Sequence, residues 1–585
     1  MPVHSNRPSL FLIEFGLVLI TLVAAFCWPA ANLSWARAIY RGISRFAARR
    51  TASIIFVGLS SVIFRLAILP VAPIPKPFIE DDFSFLLAAD TFASGRLTNP
   101  TPPLWTHFES FHITLVPTYM SMYFPAQGMA LAAGKLLAGN AWFGVLLTTA
   151  LMSAALTWML QGWLPPKWAL LGGVLAVLRL GLFSYWINTY TGGSIAALGG
   201  ALVLGALPRI LPAFRSRDFF WMAAGMALLA NSRPYEGLLI CVPSVTILVW
   251  KLRQETHPAI PALVRRAAPG LVLLGATLVF MGYYDYRVFG NVFTPPYEVN
   301  RLTYAVAPHF LWQKPRPEPI YRHKVIRDLY MGWELDWFKK SRTFSGLLQM
   351  NALKLAWAVS FFLGFVLLIP LVMLPRALQD KRMRSLLVIG IVFVCGLAIE
   401  TWLIPQYLAP FTPILYAFVL QCMRHMQALR YQGRRPGVFL VRAVPVLCVL
   451  LCVVRVYAEP LDLYLAPDTF STRAWFGTRP LGLKRAGILS YLEQQPGKQL
   501  VLVRYSAGHN VVDDWVYNGP DLNESKVIWA RDMDAAANAE LFGYYSDRSA
   551  WLVEPDLTPP KLSRIPRLTK GEKTIVSSVP AKLSR

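Results

Sequence analysis

Long apolar stretches separated by short polar segments dominate the pattern of this chain. The stretch from Thr51 to Val71, TASIIFVGLSSVIFRLAILPV, is long enough to cross a bilayer as a helix. By length and apolarity the chain contains about twelve such stretches. They lie near Leu10–Trp28, Ala52–Val71, Ala141–Leu160, Trp168–Ile187, Gly192–Leu211, Phe219–Asn231, Glu236–Trp250, Ala268–Phe289, Leu353–Leu374, Ser385–Ile404, Tyr407–Met423 and Val438–Val456. The pattern therefore predicts a polytopic α-helical membrane protein.

Two further features of this pattern leave alternatives open. Ala126–Leu137 is apolar but too short to span a bilayer, so we expect it to lie in the interface or to re-enter the membrane. Leu10–Cys27 could be a signal peptide. We favour a retained first span, because no small-residue cleavage site is clear and a basic loop follows it.

Basic residues cluster in every second loop between the spans. The clusters contain Arg37, Arg41, Arg45, Arg49, Arg50, Arg209, Arg215, Arg217, Lys251, Arg253, Arg265, Arg266, Arg376, Lys381, Arg382, Arg384, Arg424, Arg430, Arg434 and Arg435. All of them fall on one side of the alternation, which the positive-inside rule makes cytoplasmic. The loops 73–139 and 290–352, the turn Asn188–Gly193 and the chain after Val456 are therefore predicted to lie outside a bacterial-type inner (plasma) membrane.

Composition narrows the class of protein further. Of the 585 residues 55% are hydrophobic and 15% are charged, and the mean hydropathy is +0.44, a balance that excludes an ordinary soluble globular protein. The net charge of +25 does not indicate nucleic acid as a partner, because Lys and Arg lie mostly in short loops beside membrane lipids. The six cysteines fall in apolar stretches, so neither a disulfide framework nor a zinc site is predicted.

The composition changes after about Tyr457. Lys498–Tyr505, Lys526–Met533 and Ser549–Asp556 are typical of short buried strands, and Ala536–Tyr545 is typical of a helix. Strands that alternate with a helix predict a small α/β domain. The chain then divides into residues 1–50 (an extra span and a basic loop), 51–456 (the membrane domain), 457–560 (an extracytoplasmic α/β domain) and 561–585 (a basic, flexible tail).

An acidic pair, Asp81-Asp82, stands just beyond the apolar stretch that ends at Val71. Adjacent carboxylates repel each other, which a chain tolerates more readily where a base or a metal ligand is needed. Apolar residues from Phe83 to Ser94 recur with helical spacing, and Gly95 is a plausible C-cap. The alternative interpretation is a solvated loop in which Asp simply begins a helix.

More titratable residues follow on the same predicted side of the membrane. The segment WTHFESFH, Trp105 to His112, contains His107, Glu109 and His112. Their spacing fits a functional site that includes the acidic pair, and it fits ordinary loop polarity equally well. The two interpretations stay open at this point.

The order of these motifs resembles that of the GT-C glycosyltransferases, in particular the protein O-mannosyltransferases and the aminoarabinose transferase of lipid A. The shared features begin with the acidic pair outside an early span and the loop helix that ends in Gly. The other matching stretches are YFPAQG (Tyr123–Gly128), NSRPYEG (Asn231–Gly237), YYDYRVFGNVFTPPY (Tyr283–Tyr297) and IPQYLAPFTP (Ile404–Pro413). The resemblance covers roughly residues 51–456 and implies a GT-C-like fold.

The resemblance implies an enzyme that takes a sugar from a polyprenyl-phosphate donor and passes it to a lipid, glycan or protein acceptor outside the membrane. Transfer is then an inverting displacement in which a carboxylate accepts the proton of the acceptor hydroxyl. Asp81 occupies the first acidic position of the family and is the expected base. Asp82 stands where Glu is more usual, and it either orients the acceptor or binds a divalent cation, Mg²⁺ or Mn²⁺, together with Asp81.

The leaving phosphate needs positive charge that is already in place. Arg233 is the expected phosphate ligand, because a guanidinium can bind two phosphate oxygens at once, although an arginine at the end of a span also contacts lipid headgroups. Glu236 either contributes to substrate binding or simply pairs with Arg233. The remaining candidate substrate-binding residues are Glu109, His112, Tyr190, Tyr407 and Gln406, which stands where the family often has Arg; the aromatic belt of any membrane protein also accounts for the tyrosines.

Two other classes of protein remain as alternatives. A transporter or flippase of lipid-linked sugars would carry charged residues inside spans and helices broken at mid-membrane, usually in two related halves. Here the charges cluster near span ends, and the halves show no symmetry. A non-catalytic membrane protein of envelope assembly would use the α/β domain as its working part and would not need Asp81.

Overall fold

The computed structural model describes residues 9–27, 34–254, 259–463 and 482–566. The first half of the chain is mostly helical, as the apolar pattern predicts. Helices α1 to α11 are Leu10–Cys27, Ser34–Ala48, Arg50–Ala67, Glu80–Ala93, Pro125–Ala138, Trp142–Trp163, Pro166–Leu180, Gly193–Ala213, Ser216–Ala230, Pro234–Gln254 and Ile260–Phe289.

Shorter and less regular helices make up the rest of the helical body. Two π-helical segments, Asp328–Glu334 and Val359–Leu363, and a 3₁₀ segment, Val366–Met373, lie among them. A two-stranded antiparallel ribbon, β1 (Ile113–Thr114) with β2 (Met120–Ser121), lies between α4 and α5. Helices α12 to α19 are Pro296–Tyr304, Lys324–Arg327, Leu335–Ser341, Phe344–Ala358, Leu374–Gln379, Arg384–Ala398, Thr412–Met426 and Pro436–Val456.

The lengths of these helices fit a membrane-spanning body. Among the described residues, eight helices are long and apolar enough to cross a bilayer. Four more predicted spans contain helices of 15 residues each, α7, α9, α17 and α18. Together with the small C-terminal sheet described below, this architecture confirms the predicted fold class, an integral membrane protein with a C-terminal α/β domain.

One predicted span, Trp168–Ile187, ends earlier than its apolarity suggests. Helix α7 stops at Leu180 and the chain turns. The hydroxyl of Ser184 donates to the carbonyl of Leu180 at 2.6 Å, and the Asn188 amide donates to the carbonyl of Ser184 at 2.9 Å. Such side-chain bonds compete with a continuing helix, and hydropathy does not report them. The resulting turn carries Tyr190 into the candidate site.

Small residues let the central helices approach one another closely. A Cβ atom on Gly134 of α5 would lie 2.1 Å from the backbone nitrogen of Gly144 on α6. A Cβ on Gly225 of α9 would lie 2.7 Å from the carbonyl oxygen of Gly199 on α8. Close packing at small residues is the usual way in which membrane helices associate, since apolar surface gains little from association in lipid.

Helix α1 is tied to the body by a buried acidic residue. The Glu14 carboxylate accepts a hydrogen bond from the backbone N–H of Phe365 at 2.9 Å, just after the π-helical segment that ends at Leu363. Gly364 has a φ of +57°, and a Cβ there would lie 2.3 Å from Glu14 Oε1, so this break in the helix needs glycine. Glu14, which interrupts the apolar pattern of the first predicted span, thus satisfies a backbone donor freed by the break.

The C-terminal domain contains a four-stranded sheet in the order β4-β3-β5-β6. Strand β3 (Lys498–Val503) pairs in parallel with β4 (Val527–Arg531) and β5 (Arg548–Glu554), while β6 (Lys561–Arg564) pairs antiparallel with β5. The accompanying helices are α20, Leu483–Gln494, and α21, Ala535–Tyr544. Strand β6 begins inside the segment that the sequence predicted as a tail, because it pairs with β5 and buries Leu562 and Ser563 there. Residues 567–585 of that tail lie outside the described residues.

The C-terminal domain packs against the two large loops that were predicted to share its side. Arg96, just after α4, donates two hydrogen bonds to the Asp521 carboxylate at 2.8 and 2.7 Å. The hydroxyl of Ser110 donates to the backbone carbonyl of Val516. The loop 73–139 therefore lies between the helical body and the α/β domain, and it carries the candidate site.

Candidate active site

Helix α4 brings two of the candidate residues to the site. Its first turn consists of Glu80, Asp81 and Asp82, and Asp81 and Asp82 are buried. Negative charge in the first turn is favourable, because the unpaired backbone N–H groups give that end of a helix partial positive charge. Successive helical residues point about 100° apart, so Asp81 and Asp82 have different partners.

Asp82 faces the protein backbone. Its Oδ1 accepts the N–H of Tyr190 at 2.7 Å, and its Oδ2 accepts the N–H of Phe78 at 3.3 Å. Burial raises the pKa of Asp82 to about 8, and the two backbone hydrogen bonds act in the opposite direction. With both oxygens committed, Asp82 holds the Tyr190 turn against the start of α4.

Asp81 faces a histidine and a tyrosine instead. Its Oδ1 lies 2.8 Å from Nδ1 of His112 and also accepts the hydroxyl of Tyr123. Burial by itself raises the pKa of Asp81, but the hydrogen bond and positive charge of His112 outweigh it, so the pKa falls below its usual value. In turn, burial lowers and Asp81 raises the pKa of His112, with a net upward shift. The geometry keeps Asp81 ionised inside the protein.

The same cluster has the composition of a cation site. Glu80, Asp81 and His112 each offer a ligand atom, and these atoms lie within 4.8 Å of one another. The sequence predicted a cation between Asp81 and Asp82, whereas the structure gathers Glu80 and His112 around Asp81. Two carboxylates and an imidazole are a ligand set that suits Mn²⁺ or Zn²⁺, while Mg²⁺ prefers oxygen ligands alone.

Arg233 stands beside this cluster. Its guanidinium carbon lies 4.3 Å from the centre of the Tyr407 ring, and its Nη1 lies 3.8 Å from the Glu236 carboxylate. Its positive charge contributes to the lowered pKa of Asp81. The side chain is 11% exposed, so its charge acts in surroundings of low dielectric constant, where electrostatic interactions are strong. The structure thus brings together Asp81, His112 and Arg233, three of the residues predicted from the sequence.

Tyr190 and Gln406 lie in buried positions around the site. The Tyr190 hydroxyl donates to the carbonyl of Pro75 at 3.0 Å, and its own carbonyl accepts the Gln127 amide at 2.8 Å, so Tyr190 fixes the shape of the turn. Gln406 is fully buried, and neither its Oε1 nor its Nε2 has a hydrogen-bond partner within the described parts of the chain. A buried amide without partners is costly and is often found where a ligand completes a site.

Glu109 lies in a separate network that joins three segments. Its carboxylate accepts the Tyr304 hydroxyl at 2.9 Å and lies 3.3 Å from both Arg322 and His323. Burial raises the pKa of Glu109, but the hydrogen bond and charge of His323 outweigh it, so the pKa is lowered. Sequence reasoning placed Glu109 at the substrate; the structure places it where the Trp105–His112 segment meets the large loop 290–352.

Several residues of the site were not singled out from the sequence. Tyr123 belongs to the quoted YFPAQG stretch, but a single tyrosine near a span is normally assigned to the aromatic belt. The rings of Tyr123 and Tyr297 lie 5.5 Å apart, and the rings of Tyr123 and Phe85 stack at 4.4 Å. Tyr297 directly follows the FGNVFTPP stretch, and this position in a recognised motif could have indicated it as a site residue.

A long apolar groove runs beside the cluster, with a volume of about 1050 Å³. Residues of α3, α5, α6, α8, α9 and α11 line it, and its polar lining is limited to groups such as Thr148, Thr277 and Asn231. The carbonyl of Asn231 accepts the N–H of Ala126 at 3.0 Å, and both residues belong to the lining. Asn231 is two residues from Arg233, and Ala126 is three residues from Tyr123, so the lining includes close chain neighbours of two site residues.

No protein-family model and no curated protein sequence matches the chain. Solved structures do. ArnT from Cupriavidus metallidurans in the apo state is 14% identical, with a TM-score of 0.45 over 85% of this chain and 92% of ArnT. The same enzyme bound to undecaprenyl phosphate is 13% identical, with a TM-score of 0.43 over 86% and 92%.

An archaeal protein is similar at the same level. The oligosaccharyltransferase AglB from Archaeoglobus fulgidus, in complex with an inhibitory peptide and a dolichol-phosphate, is 9% identical. Its TM-score is 0.44 over 85% of this chain and 69% of AglB. All of these TM-scores lie below 0.5, so the neighbours assign neither a family to the chain nor a role to any of its residues, and the GT-C resemblance stays a prediction from the sequence.

Proposed function

We propose that this protein is a membrane glycosyltransferase that moves a sugar from a polyprenyl-phosphate donor to a hydroxyl group of a lipid, glycan or protein acceptor. The observation that carries the proposal is the junction of two features. An ionised, buried carboxylate, Asp81, and a buried cation, Arg233, stand where the apolar groove reaches the polar loops. A lipid phosphate needs this combination, since its tail requires an apolar surface and its head requires fixed positive charge.

In the proposed reaction the acceptor oxygen bonds to the anomeric carbon of the sugar while the bond from that carbon to the lipid phosphate breaks. The acceptor hydroxyl gives its proton to Asp81. His112 and Tyr123 both bind Oδ1 of Asp81, and Oδ2 takes part in neither of these bonds. Oδ2 is therefore the oxygen that we assign as base, with His112 and Tyr123 as the groups that orient it.

The leaving phosphate is assigned to Arg233. A guanidinium can donate two parallel hydrogen bonds to phosphate oxygens, and it remains charged when buried. Tyr407 supports it from one face and Glu236 from the side, which fixes its direction before the substrate arrives. Gln406, the neighbour of Tyr407, has a side-chain amide without a hydrogen-bond partner among the described residues. We propose that it binds a polar group of the donor.

A divalent cation fits the proposed site when the His112 ring is neutral, with Glu80, Asp81 and His112 as the residues that would hold it. It would supply positive charge near the reacting groups. Of the two cations expected from the sequence, Mn²⁺ suits the imidazole better than Mg²⁺ does.

We further propose that the site faces the outside of a bacterial-type plasma membrane, in line with the one-sided basic loops. In a variant without native cysteines, Ser506→Cys in the α/β domain should react with a membrane-impermeant thiol reagent in intact cells. Gln432→Cys, in a basic loop predicted to be cytoplasmic, is the matched control and should react only after lysis. The reverse pattern would contradict this orientation.

The proposed role of the groove is tested by the length of the lipid. Ala224→Trp narrows the groove, and it should weaken the use of a long polyprenyl-phosphate sugar while sparing a donor with a short prenyl chain. Val272→Trp is the control, because Val272 neighbours the lining residue Leu273 but is 71% exposed. Equal losses with long and short donors, or no loss with either, would contradict a lipid tail in this groove.

A further inference from the structure

A second concave surface lies away from Asp81, in the C-terminal domain. It is a crevice of about 400 Å³ between the carboxyl ends of β3 and β4 and the segment 322–328 of the large loop. The carboxyl ends of parallel strands are the usual place for ligands in open α/β sheets, because the loops that follow the strands diverge there. The volume is within the range of small-molecule sites.

The charged groups in this crevice cancel one another. Nε of Arg504 lies 2.5 Å from the Asp532 carboxylate, and Nζ of Lys324 lies 2.5 Å from Asp328. Arg531 is buried against Asp514 at 2.7 Å. Little positive charge is left over to attract a phosphate. A paired guanidinium still has free N–H groups, and a paired carboxylate still has free lone pairs, so the crevice offers donors and acceptors in balance.

One histidine in the lining has an unused nitrogen. His509 is 5% exposed, and its Nδ1 lies 2.7 Å from the Asp556 carboxylate. Its Nε2 has no hydrogen-bond partner among the residues that the structure describes. Because a carboxylate only accepts, Nδ1 of His509 carries a proton. Nε2 is itself buried, so the ring forms part of the wall of the crevice.

The crevice is also connected to the candidate active site. Arg531 and His323 line it. Nε of Arg531 donates to the backbone carbonyl of Glu109 at 2.7 Å, and His323 lies 3.3 Å from the Glu109 carboxylate. Glu109 precedes His112 by three residues. A molecule in the crevice would therefore touch the residues that hold the segment carrying His112.

We propose that this crevice binds the glycan part of the acceptor, as a neutral polyhydroxyl ligand. The proposal rests on the proposed function, since only a sugar transferase needs an acceptor here. Hydroxyl groups donate and accept, which matches the paired ions, whereas an anion would meet the carboxylates of Asp328, Asp532 and Asp534 in the lining. The contact with the Glu109 network gives the acceptor a place beside the loop that positions Asp81.

Binding can be measured without knowing the natural acceptor. The probes are methyl glycosides of glucose, galactose, mannose and N-acetylglucosamine, observed by saturation-transfer NMR on the full-length protein in a detergent without a sugar headgroup. Arg504→Ala and Asp532→Asn each remove one member of the Arg504–Asp532 pair. Lys526→Ala removes an equal charge at the opposite end of β4 and serves as the control, and the circular dichroism of each variant reports its folding.

We expect at least one glycoside to give saturation transfer in the wild type and in Lys526→Ala. Arg504→Ala and Asp532→Asn should each lower its affinity about tenfold, since each removes charged hydrogen-bonding groups. Failure of all four glycosides to bind, unchanged binding in both crevice variants, or displacement of the glycoside by inorganic phosphate would overturn the proposal. Asp81→Asn should bind the glycoside as the wild type does, because Asp81 does not line the crevice. Glycoside binding and sugar transfer are therefore tested independently, and a failure of one is distinguishable from a failure of the other.

Discussion

Nε of Arg531, at the end of strand β4, donates to the backbone carbonyl of Glu109 at 2.7 Å, although 422 positions separate the two residues. The side chains of Arg531 and of its carboxylate partner Asp514 are 3% and 1% exposed. This contact joins the C-terminal domain to the segment Trp105–His112. The domain thus holds in place the loop from which His112 reaches Asp81.

The first prediction concerns this contact. Arg531→Gln leaves Asp514 as a buried, unpaired charge, a change that typically costs about 3–5 kcal/mol. We expect the loop 73–139 to become sensitive to protease and the thermal stability to fall. Arg96→Gln is the control, because it breaks the exposed pair with Asp521 and should cost less than about 1 kcal/mol. Equal stability of the two variants would show that the Arg531 contact does not hold the domain.

The second prediction concerns pH. The pKa of Glu109 is lowered from 4.5, because His323, Tyr304 and Arg322 together outweigh the effect of burial. A lowered pKa in the folded state means that the network stabilises the fold above about pH 4.5 and loses this effect as the pH falls through the lowered value. Deuterium uptake by the Trp105–His112 segment should therefore stay low down to that range and then rise.

The variant Glu109→Gln provides the comparison for this prediction. In this variant the Trp105–His112 segment should take up deuterium faster already at neutral pH, because the amide cannot replace the charged acceptor. After correction for the intrinsic exchange rate, the uptake should then change little as the pH is lowered. An acid transition of the same size in this variant would assign the pH effect to another group.

Most of the fold could be predicted from the sequence because its signals are local. The length of the apolar stretches predicts the membrane spans, and short strands that alternate with a helix along the chain predict the C-terminal domain. The end of α7 was missed, since it depends on side-chain hydrogen bonds such as that of Ser184. Strand β6 was missed because Lys561–Arg564 is too short and basic to resemble a strand until β5 is present.

The candidate site could be predicted only in part. Asp81, His112 and Arg233 stand in recognisable motifs, and the structure brings them together. Which aspartate faces the site depends on the bond between Asp82 and the backbone of Tyr190, across 108 positions. The contact of Tyr123 with Asp81 is likewise a matter of tertiary packing, and no pattern along the chain reports it.

The third prediction concerns Arg233. Arg233→Lys keeps the charge but loses the two parallel donors, so transfer should fall by roughly tenfold or more at saturating acceptor while folding is retained. Arg287→Lys is the control, since Arg287 also lies near a tyrosine, Tyr283, but is exposed. If both variants keep the wild-type rate at saturating donor, Arg233 contacts lipid headgroups and does not bind the leaving phosphate.

The fourth prediction separates the two aspartates. Above about pH 8, where Asp82 is ionised, Asp82→Asn puts an amide where both carboxylate oxygens accept backbone N–H groups. One buried donor then lacks an acceptor, which typically costs about 1–3 kcal/mol. We expect a lower melting temperature and a moderate loss of activity in proportion to the folded fraction. A stable Asp82→Asn protein without any transfer activity would instead give Asp82 a direct chemical role.

The central claim is that Asp81 is the base of a glycosyl transfer, and the most direct test is the transfer rate of Asp81→Asn with a labelled polyprenyl-phosphate sugar. The substitution keeps the shape of the side chain and removes the basic oxygen. The account predicts that the rate falls by about 10²–10⁴-fold while the amount of folded protein in the membrane and the binding of the lipid donor stay unchanged. Transfer at the wild-type rate by Asp81→Asn, or no transfer by the wild type with any such donor, would contradict it.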